Sequence, residues 1–185
     1  MTQIGPARRS VNPLLPSNEF IPDGEPRVFG DRVYLYGSHD LAPGGTCAGD
    51  YVTWSAALDD ISEWRFEGVI YRALQDPYIA TRRAAGKKGM FDRLFAPDVL
   101  GIDGRFYLYY GVGLSATGFG VAVSDSPTGP FEYVGRVRYP KGAKPAGQKD
   151  GVDGNPDGEL AFGAGRSALR RLGFGIGGYP YDPAI

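Results

Sequence analysis

The sequence of 185 residues has one cysteine, Cys47, one histidine, His39, and two methionines. A single cysteine excludes an internal disulfide and leaves the redox compartment open. A single histidine excludes any site built on two imidazoles, so no metal site is expected. Cys47 and His39 could meet as a thiol-imidazole pair, but no protease motif surrounds them. A glycine-rich phosphate loop of P-loop spacing is also missing, and no cofactor is expected. The net charge of -1 gives no field for nucleic acid or for an acidic membrane surface. Long apolar runs are absent as well. The stretch Met1 to Ser10 carries Arg8 and Arg9 with no apolar segment behind them, so neither a signal peptide nor a membrane span is read and a cytoplasmic location is expected.

What the sequence does have is glycine (29), proline (15), tyrosine (12) and phenylalanine (10), the composition of many short strands joined by tight turns. It also repeats. Phe95-Ala96-Pro97-Asp98-Val99 leads through an Asp103-Gly104 turn into Tyr107-Leu108-Tyr109. Ile21-Pro22-Asp23 leads through Gly30-Asp31 into Tyr34-Leu35-Tyr36. After each hairpin come two more strand-like runs, Tyr51 to Asp60 with Trp64 to Ile70, and Gly120 to Pro127 with Pro130 to Val137. An internal repeat overrides the single-domain reading that length alone suggests. Four antiparallel strands per unit, repeated along the chain, are the pattern of a β-propeller, so an all-β fold is expected.

The expected organisation is a polar, proline-marked lead-in over residues 1–16, blades one and two over 17–140, an irregular glycine- and arginine-rich segment over 141–180, and at 181–185 the opening of a third blade around Asp182. About two blades and the start of a third do not close a ring, so the chain reads as part of a larger propeller whose open faces favour association. In the long connection between the blades, Ala80 to Gly89 is basic and is expected as an exposed loop with one helical turn. Trp64 falls at a blade end and is expected in the core.

Asp23 and Asp98 open the two repeats, and the first strand of each propeller blade lines the channel. Both carboxylates are therefore expected in one cavity. Paired carboxylates in a cleft serve glycoside hydrolysis, one protonating the leaving oxygen and the other activating water or attacking directly. The alternative is that each Asp caps a turn, a role it fills well.

The segments Asn12-Pro13-Leu14-Leu15-Pro16, Ile21-Pro22-Asp23, Gly37-Ser38-His39-Asp40 and Phe95-Ala96-Pro97-Asp98-Val99 resemble the N-terminal part of glycoside hydrolase family 43, over about residues 11–140. That resemblance implies a five-bladed propeller, here partial, that hydrolyses arabinose- or xylose-containing glycans with inversion. It implies Asp23 as general base and Asp98 as the residue that orients the acid and tunes its pKa. The acid itself, a glutamate, is expected in a later blade; Glu159 has the wrong surroundings. The expected partner is a plant-type oligosaccharide or polysaccharide, with neither nucleic acid nor membrane. His39, Trp54 and Phe95 are the candidate sugar contacts, the aromatic faces for stacking and the imidazole for a hydroxyl, although Trp54 and Phe95 also suit blade packing. Two alternatives stand beside this reading. A retaining, invertase-like fructan hydrolase would open on Asn-Asp-Pro-Asn, and Ile21-Pro22-Asp23-Gly24 does not. A non-catalytic carbohydrate-binding propeller would use the same aspartates to hold hydroxyls.

Overall fold

In the computed structural model, which describes residues 13–113 and 119–137, each tyrosine-rich run becomes the second strand of a four-stranded antiparallel sheet. The first sheet holds β1 (Glu25–Phe29), β2 (Arg32–Tyr36), β3 (Tyr51–Ala57) and β4 (Asp60–Tyr71). The second holds β5 (Leu94–Ile102), β6 (Arg105–Val112), β7 (Phe119–Ser124) and β8 (Glu132–Arg136). Sequence neighbours are sheet neighbours throughout, which is the meander of a propeller blade. The turn between β5 and β6 shows why the sequence folds there. Asp103 and Gly104 are both left-handed, with φ of 50° and 77°. That type I′ geometry matches the right-handed twist of the flanking strands.

Side-chain alternation along β2 puts Tyr34 and Tyr36 on the face toward the second sheet and Val33 and Leu35 on the other. Tyr36, Tyr51, Tyr71 and Tyr110 are wholly buried. A buried phenol must find a partner for its hydroxyl, and here most of the partners lie across the blade interface. Tyr36 donates to the Pro127 carbonyl at 2.7 Å and Tyr51 to the Phe95 carbonyl at 2.9 Å. The Tyr71 and Tyr110 hydroxyls meet at 2.7 Å. The opposite face of the first sheet is not covered among the described residues, and Val28 and Phe66 stand about half exposed on it. Trp64 departs from the sequence expectation. It lies on the edge strand β4, half-buried, with its indole N–H on the Ile61 carbonyl.

The connection between the sheets is more ordered than its basic composition suggests. Helix α1 (Pro77–Ala84) takes up half of the expected loop. Its start is built by Asp76, whose carboxylate accepts from the Tyr78 and Ile79 amides, and by Pro77, whose missing N–H costs nothing in the first turn. Asp76 is fully buried. It also accepts from the Tyr110 hydroxyl at 2.9 Å and pairs with Arg136 at 2.8 Å, so one side chain ties the helix to β6 and β8. Most of the lead-in, the 141–180 segment and the expected third-blade opening at Asp182 lie outside the described residues.

Candidate active site

Asp23 stands just ahead of β1, solvent-exposed, with a left-handed φ of 54°. Its Oδ2 accepts a hydrogen bond from the Ser38 hydroxyl at 3.2 Å. Ser38, completely buried, immediately follows Gly37 at the end of β2, and its Oγ accepts in turn from the Ala96 amide at 2.8 Å. One hydroxyl thus uses its donor on the first blade and an acceptor lone pair on the second. Ala96 is itself left-handed, with φ 34°, inside an irregularity of β5 where Phe95 pairs with Gly111 but Asp98 with Tyr109. The extra residue is a β-bulge, a device that re-aims side chains and recurs beside active sites. For alanine the left-handed region costs about 1–2 kcal/mol, and strain of this kind persists only where the surroundings enforce it. Ser38 is the enforcing contact.

The two aspartates are not in equivalent positions, contrary to the expectation of a pair in register. Glu25 pairs with Tyr36 and Asp98 with Tyr109, so the counterpart of Asp98 in the first blade is Glu25, and Asp23 lies two residues ahead of it. The Pro-Asp motifs look alike, but the first stands two residues further from its turn. Burial follows. Asp23 is open, whereas Asp98 is 2% exposed and held by Arg27 of β1 in a bidentate pair, with Nε at 2.7 Å from Oδ1 and Nη2 against Oδ2. Asp98 Oδ1 also accepts from the Val99 amide. A planar guanidinium gripping both oxygens fixes orientation as well as supplying counter-charge.

His39 and Trp54 converge, but on a carboxylate that sequence reading did not single out. Glu19 accepts from the Trp54 indole N–H at 3.2 Å and lies 3.0 Å from His39 Nε2, while His39 Nδ1 lies 3.0 Å from the Asp50 carbonyl. Both imidazole nitrogens thus face oxygen acceptors. This leaves neither ring nitrogen for the Cys47 thiol, whose titration burial pushes up. The Trp54 ring is half-buried and packs on Phe66 with centroids 5.1 Å apart. Phe95 is 7% exposed, and its carbonyl serves Tyr51. Of the five residues singled out in sequence, the structure therefore opens Asp23, partly exposes His39 and Trp54, and buries Asp98 and Phe95. Among the described residues no group of three or more metal-ligating side chains occurs. Ser38 lies within a motif quoted for its resemblance, but Arg27 and Glu19 carry no local signal, because Arg27 reaches its partner across 71 residues and Glu19 reaches Trp54 across 35.

No family model matches the chain. A xylosidase/arabinosidase of Thermoclostridium stercorarium is 49% identical over 146 residues, which is 78% of this chain and 29% of that protein. Xylosidase/arabinosidase 43A of Humicola insolens is 32% identical over 130 residues, 64% of this chain and 36% of that protein. The chain therefore spans about a third of the length of the curated relatives it matches. Among solved structures, a GH43 β-xylosidase/α-arabinofuranosidase from a compost microbial metagenome, in complex with xylotriose, superposes with a TM-score of 0.51 at 30% identity, covering 66% of this chain and 36% of that one. A GH43_1 enzyme of Xanthomonas citri complexed with xylose gives 0.51 at 25% identity, covering 66% and 34%. With the two-blade meander, the Ser38-clamped Asp23 and these relatives together, the chain belongs to glycoside hydrolase family 43, as a partial propeller.

Proposed function

We propose that the whole protein of which these blades form part hydrolyses O-glycosyl bonds of arabinose- or xylose-containing glycans with inversion, Asp23 acting as general base. The observation that carries this reading is the contrast between the two aspartates. Asp23 is open at a left-handed bend, with one oxygen fixed by Ser38 and the other face toward solvent, as a carboxylate that takes a proton from water must be. Asp98 is buried and gripped by Arg27, which suits a residue that orients and tunes rather than one that exchanges protons with substrate. In an inverting site the acid and the base stand roughly 6.5 to 9.5 Å apart, with room for the attacking water. We assign the acid to a carboxyl carried outside these two blades, and sugar contact to the open part of the Trp54 ring, the two His39 nitrogens being taken by Glu19 and the Asp50 carbonyl.

Hydrolysis of aryl α-L-arabinofuranoside and aryl β-D-xyloside tests the reading, with the released sugar's anomeric form followed by NMR. Asp23→Asn in the whole protein is expected to lower kcat by about 10²–10⁴-fold, the usual weight of a general base, with KM little changed. Retained turnover in that variant, or product released with retained configuration, would remove the assignment.

A further inference from the structure

Beside the site lies a cavity of about 300 Å³ lined by Ala48, Arg83, Lys88, Gly89, Asp92 and Arg93. Its walls come from the loop that follows His39, from the end of α1 and from the residues leading into β5. The loop that lines it is tied to His39 and Asp40: Arg93 donates to the Thr46 carbonyl, the Cys47 amide donates to Asp40, and the Gly49 amide donates to the His39 carbonyl at 2.9 Å.

The chemistry of this cavity is unlike that of the site. Of its three cations, Arg83 is balanced by Asp92 through Nε at 3.1 Å. Among the described residues, the Arg93 side chain has a neutral carbonyl and a thioether as partners, and Lys88 makes no ion pair. Two positive charges are left uncompensated on one small concavity of a chain whose net charge is -1. Asp92 adds an acceptor. Its side chain is 6% exposed, and Oδ1 is buried with no hydrogen-bond partner among the described residues. A buried carboxylate oxygen left unpaired is costly, and it repels a bare anion such as phosphate. A ligand with both a carboxylate and hydroxyls satisfies the two features at once, the carboxylate taking the cations and a hydroxyl donating to Asp92. The volume is at the low end for small-molecule sites and suits a single sugar ring.

We propose that this cavity is a subsite for a uronic acid unit, so that the glycan handled at the neighbouring site is an acidic, uronate-bearing one. The glycan part of this inference rests on the function proposed above; the cavity part does not. The probes are free D-glucuronate, acetate, inorganic phosphate, and xylotriose with and without a glucuronyl branch, titrated into the whole protein and followed by NMR. Glucuronate is expected to bind saturably, more tightly than acetate or phosphate, and more weakly as salt is raised. Lys88→Glu, at an exposed position between Lys87 and Gly89, is expected to weaken glucuronate about tenfold or more without altering neutral xylotriose. Lys88→Ala gives a smaller loss in the same direction and guards against a folding defect. The proposal is overturned if glucuronate binds no better than acetate, or if neither Lys88 variant changes its binding. Branched xylotriose binding more tightly than the unbranched form supports a glycan branch as the source; preference for free glucuronate alone points to the monosaccharide. Glucuronate binding without any xylotriose binding keeps the subsite and removes the glycan reading, whereas the reverse removes the subsite and keeps that reading.

Discussion

Ser38 does the most with the least. Its hydroxyl fixes the proposed base on one blade and the strained Ala96 amide on the other. Ser38→Ala removes both bonds and leaves a buried N–H without an acceptor, which costs about 1–3 kcal/mol. Urea unfolding should show a loss in that range, and the turnover of the whole protein should fall with it because Asp23 loses its anchor. A stability loss under about 0.5 kcal/mol would mean that another group has taken over the Ala96 amide. At this scale the sequence was only half legible. Asp23 and Asp98 stand out because each follows a proline at the mouth of a repeated hairpin. Their difference in role is invisible there, since it depends on Arg27 reaching from β1 to β5 and on an offset between two hairpins that the similar motifs conceal. Glu19 escaped notice for the same reason: nothing local marks a carboxylate whose partners are a histidine and a tryptophan brought in by folding.

Among the elements, the strands were the readable part. Alternation and turn residues locate both hairpins, and the order of the runs gives the meander. Helix α1 was harder, because Ala80 to Gly89 is basic and glycine-punctuated, and these features dominate a composition reading. The overlooked signal was Asp76-Pro77, an N-cap followed by the residue that best tolerates the first helical position. Asp76 is more than a cap, and the magnitudes separate its roles. Loss of an N-cap costs about 1 kcal/mol. Removing one partner of a buried ion pair costs about 3–5 kcal/mol, and Arg136 is 8% exposed beside a wholly buried Asp76. Asp76→Asn keeps the Oδ1 that the Tyr78 and Ile79 amides share with Arg136, but it removes the charge that balances Arg136 and the oxygen that accepts from the Tyr110 hydroxyl. We expect it to lose most of the larger figure in chemical denaturation, nearly as much as Asp76→Ala. If Asp76→Asn costs about 1 kcal/mol or less, the cap is the whole of its contribution.

In the molecule as a whole, the two blades are held together through phenols, and this makes the fold sensitive to alkali. Burial raises the titration of Tyr36, Tyr51, Tyr71 and Tyr110 above that of a free tyrosine in every case, with neighbouring acidic groups adding to the effect. Each hydroxyl is also committed as a neutral group to a carbonyl, a carboxylate or another phenol. In the unfolded chain these tyrosines ionise near their ordinary value of about 10, and in the folded chain they do not. Above that value the unfolded state has released protons that the folded state retains, so stability is complete below about pH 10 and falls as pH rises further. Cys47, raised by burial too, brings the onset down toward about pH 9. Each raised tyrosine contributes up to about 1.4 kcal/mol per pH unit, so the four together remove about 5 kcal/mol per unit. Against a typical domain stability of about 5–15 kcal/mol, unfolding should be complete within about one to three units. Urea midpoints measured from neutral to strongly alkaline pH should stay level and then drop with this slope, and Tyr71→Phe should lower the slope by about a quarter. The part of the tyrosinate absorbance that belongs to these four of the 12 tyrosines should appear only together with the loss of sheet circular dichroism. If the absorbance of all 12 develops while the sheets persist, the phenols are not what seals one blade against the other.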